Sequence, residues 1–278
     1  MRYLRVGGIT ELLEGLREDG SAILAGGTDL LVKMRSGLVS PKLLLDISDL
    51  ESLQGVSADD GVLEIGAAAR EEDLIASQML GDRLPLLQRA LRSLGSVQIR
   101  NRGTLGGNLV NASPAADTAI PLLLYDAAVV LQSLAGERVL PVEEFLLGPG
   151  KTALEPGEFV RALRIPLPDR PFATFFHKVG KRQALTIAIA SVGALLDVDG
   201  GTVREIRLAA GSVAPVPMRL RRAEEFLRSI ELTEAAIDEA KRIAADSVSP
   251  IDDIRASAEY RRAVVGDLVA RALRSCLS

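Results

Sequence analysis

Two pairs of adjacent glycines most constrain how this chain can fold, because each leaves a stretch of backbone without side chains. The first lies in Ala25-Gly26-Gly27-Thr28-Asp29 and the second in Thr104-Leu105-Gly106-Gly107-Asn108. Paired glycines let backbone N–H groups approach a phosphate, and a following helix N-terminus favours negative charge. The two segments therefore predict a site for an anion such as a pyrophosphate. The alternative for each pair is an ordinary turn.

The pattern of apolar residues places both segments in an α/β region. The first follows a short buried strand, Ala22 to Leu24, and precedes a helix or turn from Leu30 to Met34. The second follows the polar run Gln98 to Arg102 and is interpreted as a loop from Gly103 to Asn108. Further elements are predicted as helices over residues 9–16 and 84–94, and as strands over 42–47, 62–66 and 127–132.

The C-terminal part has a different order of elements. After the connector Pro166 to Pro171, two apolar stretches, 187–197 and 203–208, predict a hairpin across Asp199-Gly200-Gly201. Helices are predicted over residues 221–229, 233–246 and 259–275. A sheet followed by helices indicates an α+β fold, with a domain boundary near residue 170.

Composition excludes several classes of protein. The 278 residues include 33 Lys and Arg against 37 Asp and Glu, and this net charge of -4 gives no broad basic surface for nucleic acid. One cysteine, Cys276, and one histidine, His177, cannot form a disulfide framework, an iron–sulfur site or a multi-histidine metal site. We therefore predict no metal site and no catalytic residue. Without a signal core or an apolar run of about 18 residues, we expect a soluble, cytoplasmic protein without membrane insertion.

Three familiar motifs are absent or incomplete. Neither glycine pair forms the Gly-x-Gly-x-x-Gly fingerprint of dinucleotide-binding folds. The sequence Gly150-Lys151-Thr152 resembles the end of a phosphate-binding loop, but Phe145 stands where that loop needs glycine. Ser113 lacks the Gly-x-Ser-x-Gly context of a hydrolase nucleophile. Rossmann-type NAD binding, NTP hydrolysis and ester hydrolysis are therefore disfavoured.

The glycine segments, followed by Ala112-Ser113-Pro114-Ala115-Ala116-Asp117, resemble the double FAD-binding signature of the xanthine dehydrogenase and carbon monoxide dehydrogenase flavoprotein subunits. The resemblance extends to Gly150-Lys151-Thr152-Ala153-Leu154, Gly157-Glu158-Phe159-Val160, Lys178, Arg182 and the tail from Asp253 to Arg262. It covers nearly the whole chain. The chain departs from the family pattern in Gln183-Ala184-Leu185-Thr186, where many relatives have an acidic residue.

This resemblance implies a fold and a cofactor. The expected fold is α+β: a two-part N-terminal α/β FAD-binding domain (PCMH/vanillyl-alcohol-oxidase-like), residues 1–170 with subdomains of about 1–55 and 56–170, and a small C-terminal domain, residues 171–278, with an antiparallel sheet and helices. The implied cofactor is one noncovalent FAD, held mostly by backbone amides. By position, the implied FAD-binding residues are Ile23, Leu24, Ala25, Gly26, Gly27, Thr28, Asp29, Leu30, Leu94, Thr104, Gly107, Asn108, Asp117, Val160 and Lys178.

Four of these positions also have ordinary structural interpretations. Leu94 and Val160 are alternatively core residues. Asp117 is alternatively the N-cap of a helix over residues 118–125, and Lys178 a solvated surface charge.

The resemblance also implies a complex. Its partners are a small subunit with two [2Fe–2S] clusters and a large subunit with molybdopterin, in a heterotrimer or a dimer of heterotrimers. Flavin exchanges one or two electrons, so this chain is expected to move electrons between the partner's clusters and an external acceptor. Two alternatives stay open: a noncatalytic assembly subunit that has lost its flavin, and a stand-alone FAD oxidoreductase.

Overall fold

The computed structural model describes residues 1–182 and 187–276. The chain divides into two units whose sequences interleave. Unit 1 comprises Met1–Ser77, Ser96–Ala112 and Ala127–Leu167, and unit 2 comprises Gln78–Gly95, Ser113–Asp126 and the chain from Pro168 onward. The domain boundary near residue 170 and the division near residue 55 stay predictions.

The described ranges contain helices and strands in both units. The strands are β1 (Arg2–Arg5), β2 (Ser21–Leu24), β3 (Leu43–Asp46), β4 (Val56–Asp59), β5 (Val62–Gly66), β6 (Ala128–Ser133), β7 (Gly136–Pro141), β8 (Leu146–Gly148), β9 (Lys151–Thr152), β10 (Phe159–Pro166), β11 (Ala173–Val179), β12 (Ala190–Asp199), β13 (Thr202–Gly211) and β14 (Met218–Arg219). The helices are α1 (Ile9–Gly15), α2 (Leu30–Arg35), α3 (Glu71–Ala76), α4 (Gln78–Arg83), α5 (Pro85–Ser93), α6 (Val97–Arg100), α7 (Leu105–Val110), α8 (Ala119–Leu124), α9 (Val142–Phe145), α10 (Arg221–Leu227), α11 (Glu234–Asp246) and α12 (Ala258–Arg274), with a short 3-10 helix at Glu51–Leu53.

Unit 1 begins with a parallel sheet in the order β1-β3-β2. Its central strand β3 is the apolar run Leu43-Leu44-Leu45, and these three side chains are buried. Such a run is typical of a strand covered on both faces. Helix α1 packs Leu12 and Leu13 into the same core. Strand β2 ends at Leu24, immediately before the first glycine segment.

Unit 1 also contains an antiparallel sheet in the order β4-β5-β10-β6-β7. In β5, Leu63 and Ile65 are buried while the residues between and beside them are partly exposed, as period-two alternation requires. Strand β10 lies at the centre and pairs with β5 and β6, with a register shift between Val160 and Ala162. This irregularity changes the course of β10 at one of the predicted FAD positions.

Unit 2 is built on the antiparallel sheet β11-β12-β13-β14. Strands β12 and β13 form a hairpin whose turn contains Gly200 and Gly201, both with positive φ. Helices α10, α11 and α12 contribute Leu227, Ile237 and Val269 to the core on this sheet. The predicted α+β class, the hairpin and the three C-terminal helices are thus confirmed.

Other elements differ from the sequence-based expectation. The second glycine segment is not a loop: Thr104 is the N-cap of α7, and the glycines lie in the first turn of that helix. Glycine disfavours helix, but here the close approach of neighbouring backbone overrides propensity. The N-cap of α8 is Thr118, so the interpretation of Asp117 as that N-cap is wrong. Strands β1, β7 and β11 were not predicted, because they are short or lack clear alternation. None of the helices in the described ranges has the length and apolar character that a bilayer-spanning segment needs.

A buried arginine on α12 fixes the C-terminal part of unit 2. Arg261 is 3% exposed, and its Nη1 donates to the carbonyl oxygens of Ile189 and Ser212 at 2.7 and 2.8 Å. Its Nη2 donates to Asp253 Oδ1 at 2.7 Å. Although burial opposes the charge of Asp253, backbone N–H groups and Arg261 hold the pKa of that carboxyl at about 2. This hydrogen-bond network gives the segment from Asp253 to Arg262 a structural role.

Replacing Arg261 with leucine should therefore lower the free energy of unfolding by about 3 kcal/mol, because buried carbonyls and a carboxylate lose their donor. The matched control is Arg262→Leu, since Arg262 is the exposed neighbour on the same helix; its effect should stay within about 0.5 kcal/mol. Urea denaturation measures both. Equal losses in the two variants would contradict the assignment.

Candidate functional site

The two glycine segments adjoin each other within unit 1. A Cβ built on Gly26 would lie 1.9 Å from the carbonyl oxygen of Arg102 and 3.0 Å from Gly103 Cα. No side chain can occupy that space, so position 26 requires glycine. Gly27 has a φ of +75°, the left-handed region that side chains disfavour. The first segment is therefore shaped by backbone contact with the residues that lead into the second.

The first segment presents unused backbone donors. Within residues 1–182 and 187–276, the amides of Gly26, Gly27 and Thr28 donate to no protein acceptor. All three residues are partly exposed, so these N–H groups are available to a ligand. A row of free backbone donors after a strand is an anion-binding arrangement.

The second segment differs, because its amides already have acceptors. Leu105 and Gly106 donate to the carbonyl oxygens of Ala69 and Ala67, and Gly107 donates to Thr104 Oγ1 at 3.1 Å. The expectation that backbone amides bind the ligand therefore fits the first segment and not the second. The second segment presents the exposed face of Gly107 and the partly exposed Asn108 to a ligand. Gly106 serves packing, since a Cβ there would lie 2.6 Å from Ala67.

Asn111, one turn beyond Gly107, ties α7 to the first segment. Its Nδ2 donates to Asp29 Oδ1 at 3.1 Å, and its Oδ1 accepts from Lys33 Nζ at 2.6 Å. Asp29 is thereby held at the end of the first segment. Sequence reasoning missed Asn111 and Lys33, although Asn111 stands next to the recognised Ala112-Ser113-Pro114 motif.

A buried acid lies behind the second segment. Glu71, at the start of α3, is 1% exposed, and its N–H donates to the carbonyl oxygen of Gly103 at 3.0 Å. Burial is the largest effect on this carboxyl and raises its pKa to about 8; Arg100 acts in the opposite direction. Sequence reasoning missed Glu71, because Arg70-Glu71-Glu72-Asp73 reads as a solvated charge run.

Two other predicted site residues, Lys178 and Asp117, form an ion pair in unit 2. Lys178 on β11 donates from Nζ to Asp117 Oδ2 at 2.6 Å and to the carbonyl oxygen of Ser93 at 2.5 Å. Both charged side chains are at least nine-tenths buried, so the interpretation of Lys178 as a solvated charge is wrong. Burial raises the pKa of Asp117 to about 6 despite the attraction of Lys178. Oδ1 of Asp117 has no hydrogen-bond partner in the described part of the chain.

The remaining positions are less polar. Leu94 follows α5 and is partly exposed, whereas Val160 is buried in the sheet of unit 1. Phe175 packs on the core of unit 2 and stacks with His177, with ring centroids 6.4 Å apart. The departure at Gln183-Ala184-Leu185-Thr186 lies outside the described residues.

Comparison with known families decides what the glycine segments belong to. Residues 1–168 match the family model described as the FAD binding domain in molybdopterin dehydrogenase, and residues 175–276 match the CO dehydrogenase flavoprotein C-terminal domain. The chain belongs to this family of FAD-binding dehydrogenase subunits. The resemblance inferred from the glycine segments, and the FAD cofactor it implied, are confirmed at the level of the family.

Relatives of this FAD-binding subunit match along nearly the whole chain. The glyceraldehyde dehydrogenase medium chain of Sulfolobus acidocaldarius is 32% identical over 273 residues, which cover 98% of this chain and 96% of the relative. The xanthine dehydrogenase FAD-binding subunit of Escherichia coli O157:H7 is 32% identical over 279 residues, covering 99% and 96%. A solved carbon monoxide dehydrogenase from Hydrogenophaga pseudoflava superposes with a TM-score of 0.95 at 31% identity, covering 100% of this chain and 97% of that one. All are subunits or structures of oxidoreductases, so the chain is classed as an oxidoreductase subunit.

The residues present fit an FAD diphosphate. The free amides of Gly26, Gly27 and Thr28 provide donors, and a Cβ on Gly107 would lie 2.8 Å from Thr104 Oγ1, so the second segment also excludes side chains. Separately, in unit 2, Asp117 Oδ1 is a buried acceptor without a donor among the described residues; it can accept a hydrogen bond from a ligand but is not a group that binds the diphosphate. Buried polar atoms are rarely left in this state unless a ligand or water satisfies them.

The raised pKa of Glu71 makes stability depend on pH. The unfolded chain loses this proton near its ordinary pKa of 4.5 and the folded chain near 8. Between these values the folded state binds more protons, so the free energy of unfolding falls as pH rises toward 8 and then levels off.

Glu71→Gln should remove this decline. Relative to the wild type, the variant should gain on the order of 3 kcal/mol between about pH 5 and about pH 8. Urea denaturation across that range measures the difference. Glu158→Gln, which removes a carboxylate bonded to Arg138 elsewhere in unit 1, is the control and should show no such gain. A constant difference between wild type and Glu71→Gln would refute the ionisation assigned to Glu71.

The contact of Gly26 with Arg102 gives a second prediction. Gly26→Ala should destabilise the chain by about 2 kcal/mol and lower its FAD content, because the added methyl group forces the two segments apart. Gly148→Ala is the control, since a Cβ there meets nothing within 4 Å. Bound flavin per chain and thermal denaturation check both effects. Full FAD content in a folded Gly26→Ala protein would show that the contact does not shape the site.

Proposed function

We propose that this chain is the electron-transfer subunit of a molybdopterin-containing hydroxylase or dehydrogenase. It moves electrons between the [2Fe–2S] clusters of a small partner subunit and an external acceptor, while a large partner subunit holds the molybdopterin. The observation that carries this proposal is the pair of adjoining glycine segments, with free amides at Gly26, Gly27 and Thr28, in a chain of the FAD-binding family.

The chain's own residues bind and orient the cofactor. The amides of the first segment bind the diphosphate, and Asn111 keeps the Asp29 carboxylate turned toward α7. Ile23, Leu24, Ala25 and Leu30 flank these donors, and Thr104, Gly107, Asn108 and Val160 complete the residues that we assign to FAD in unit 1. Flavin supplies the exchange of one or two electrons when bound.

In unit 2 we assign Leu94, Asp117 and Lys178 to the same cofactor. Asp117 and Lys178 form a buried ion pair, so the charge of the lysine is largely balanced before any ligand binds. The Oδ1 atom of Asp117 is left to accept a hydrogen bond from the ligand. The pair is thereby suited to orient a polar edge without adding a net charge.

Among the residues that the structure describes, the two buried acids near the proposed site are engaged within the chain itself. Asp117 is paired with Lys178, and Glu71 is enclosed within unit 1. His177 packs beside Phe175. This supports a subunit that receives electrons from a partner over a stand-alone oxidoreductase. We infer a cytoplasmic heterotrimer or a dimer of heterotrimers.

The first test is the absorption spectrum of the purified chain, with the released cofactor identified after heat denaturation. A flavin spectrum and released FAD are expected. Mixing the FAD-loaded chain with a reduced [2Fe–2S] partner subunit should reduce the flavin. Adding only the substrate of the large partner subunit to the isolated chain should leave the flavin oxidised.

Gly107→Phe is the matched variant for this test, because its side chain would fill the exposed face of the second segment. The added side chain must displace the Thr104 hydroxyl, which lies 2.8 Å from a Cβ at position 107, so circular dichroism is measured first; the folded variant should lack FAD and show no flavin reduction. A wild-type chain that takes up no FAD, even with its partners, would overturn the proposal in favour of an assembly subunit.

A further inference from the structure

Glu71 has no part in the function proposed above, yet it is built into the FAD-binding unit. Its side chain is 1% exposed, and Oε2 has no hydrogen-bond partner within the described ranges. Its backbone is fixed because Ala69 and Glu71 both pair with the chain around Thr104. Burying an acidic side chain that lacks hydrogen-bond partners destabilises the fold, so we expect Glu71 to have a role at this position.

The buried carboxyl group of Glu71 lies against the second glycine segment. The Asn108 side chain hydrogen-bonds it. On its other side lies Gly103, where a Cβ would be only 2.6 Å from Glu71 Oε2. Glu71 thus fills the space that the missing side chain of Gly103 leaves, and its carboxyl group is attached to one of the residues assigned to FAD.

Two charged residues from other elements act on Glu71. Asp29, at the end of the first glycine segment, repels a negative charge on Glu71, and Arg100 of α6 attracts it. Arg100 also donates from Nε to Glu72 Oε2 at 2.7 Å, so its charge is shared with the neighbouring acid of α3. Burial outweighs the attraction, and the pKa of Glu71 lies at about 8. The acid is therefore mainly uncharged at neutral pH.

We propose that Glu71 is a positioning residue of the FAD site: its buried carboxyl group holds the Asn108 side chain of the second glycine segment in place, and a negative charge on that carboxyl group weakens the binding of the FAD diphosphate. The inference rests on the proposed function, since it needs the diphosphate to bind at these segments.

The physical reason is the addition of like charges. An ionised Glu71 would add a buried negative charge to that of the exposed Asp29, next to the segments that bind the diphosphate. By linkage, a bound anion in turn makes Glu71 hold its proton more tightly. FAD binding above about pH 8 should therefore take up a proton.

The experiment measures the dissociation constant of FAD for the full-length chain from about pH 6 to about pH 9, by the change in flavin fluorescence on binding. The wild-type constant should rise about tenfold between pH 7 and pH 9, because the proton must be regained on binding. Glu71→Gln, which keeps a hydrogen-bonding group that does not ionise, should show a ratio near one. Glu71→Leu removes the hold on Asn108 and should bind FAD more weakly than Glu71→Gln at every pH.

The control is Glu64→Gln, which removes an acid of β5 that pairs with Arg161 and Arg164. It should keep the wild-type dependence on pH. A wild-type constant that does not change with pH, or an equal rise in Glu71→Gln, overturns the role of Glu71 while leaving FAD binding intact. A wild-type chain that binds no FAD at any pH overturns the proposed function as well.

A second measurement needs no variant. Calorimetric titration of the wild-type chain with FAD at about pH 8.5, in two buffers that differ in ionisation enthalpy, reports the protons exchanged on binding. Net uptake of a proton supports the inference. Equal heats in the two buffers refute it, even if the Glu71 variants fail to fold.

Discussion

The approach of one backbone to another determines the form of the candidate site. The carbonyl oxygen of Arg102 occupies the place where any side chain at position 26 would have to lie. This contact holds the strand-to-helix turn after β2 against the residues that lead into α7, and the amides of Gly26, Gly27 and Thr28 have no acceptor in the part of the chain that the structure describes. The free donors therefore result from a packing requirement, and do not depend on a flexible loop. Such donors need no reorganisation when an anion binds.

The pKa values of two buried acids depend on burial and on the charged partner that each acid has. Asp117 has a lysine ammonium 2.6 Å away, and the pKa of its carboxyl stays at about 6. Glu71 has the attraction of Arg100 and a hydrogen bond with Asn108, is repelled by Asp29, and its pKa reaches about 8 because burial outweighs these partners. At neutral pH the first is therefore mainly an anion in an ion pair, and the second mainly a neutral acid. The difference in protonation follows from the partner that each acid has, since both are nearly inaccessible to solvent.

The elements that depend on patterns of neighbouring residues could be predicted from the sequence. Period-two alternation located β5, apolar spacing located α11 and α12, and Asp199-Gly200-Gly201 located the hairpin of unit 2. Both glycine segments were recognised as a pair because glycine leaves a clear signal. The helix of the second segment was missed, since two glycines argue against helix and the stabilising bonds to Ala67 and Ala69 come from a distant part of the chain.

The residues that surround the recognised motifs were harder to predict for the same reason. Glu71 lies among charged neighbours, and nothing local separates it from the solvated Asp73 two positions later. Its burial depends on Gly103, thirty-odd residues away, having no side chain. The partnership of Lys178 with Asp117 likewise joins residues far apart in sequence, on β11 and before α8. A glycine therefore marks not only where a ligand or a backbone can approach, but also where a polar side chain from elsewhere can be enclosed. In this protein Gly26 accommodates the Arg102 carbonyl and Gly103 accommodates the Glu71 carboxyl, so both openings are already used by the chain itself.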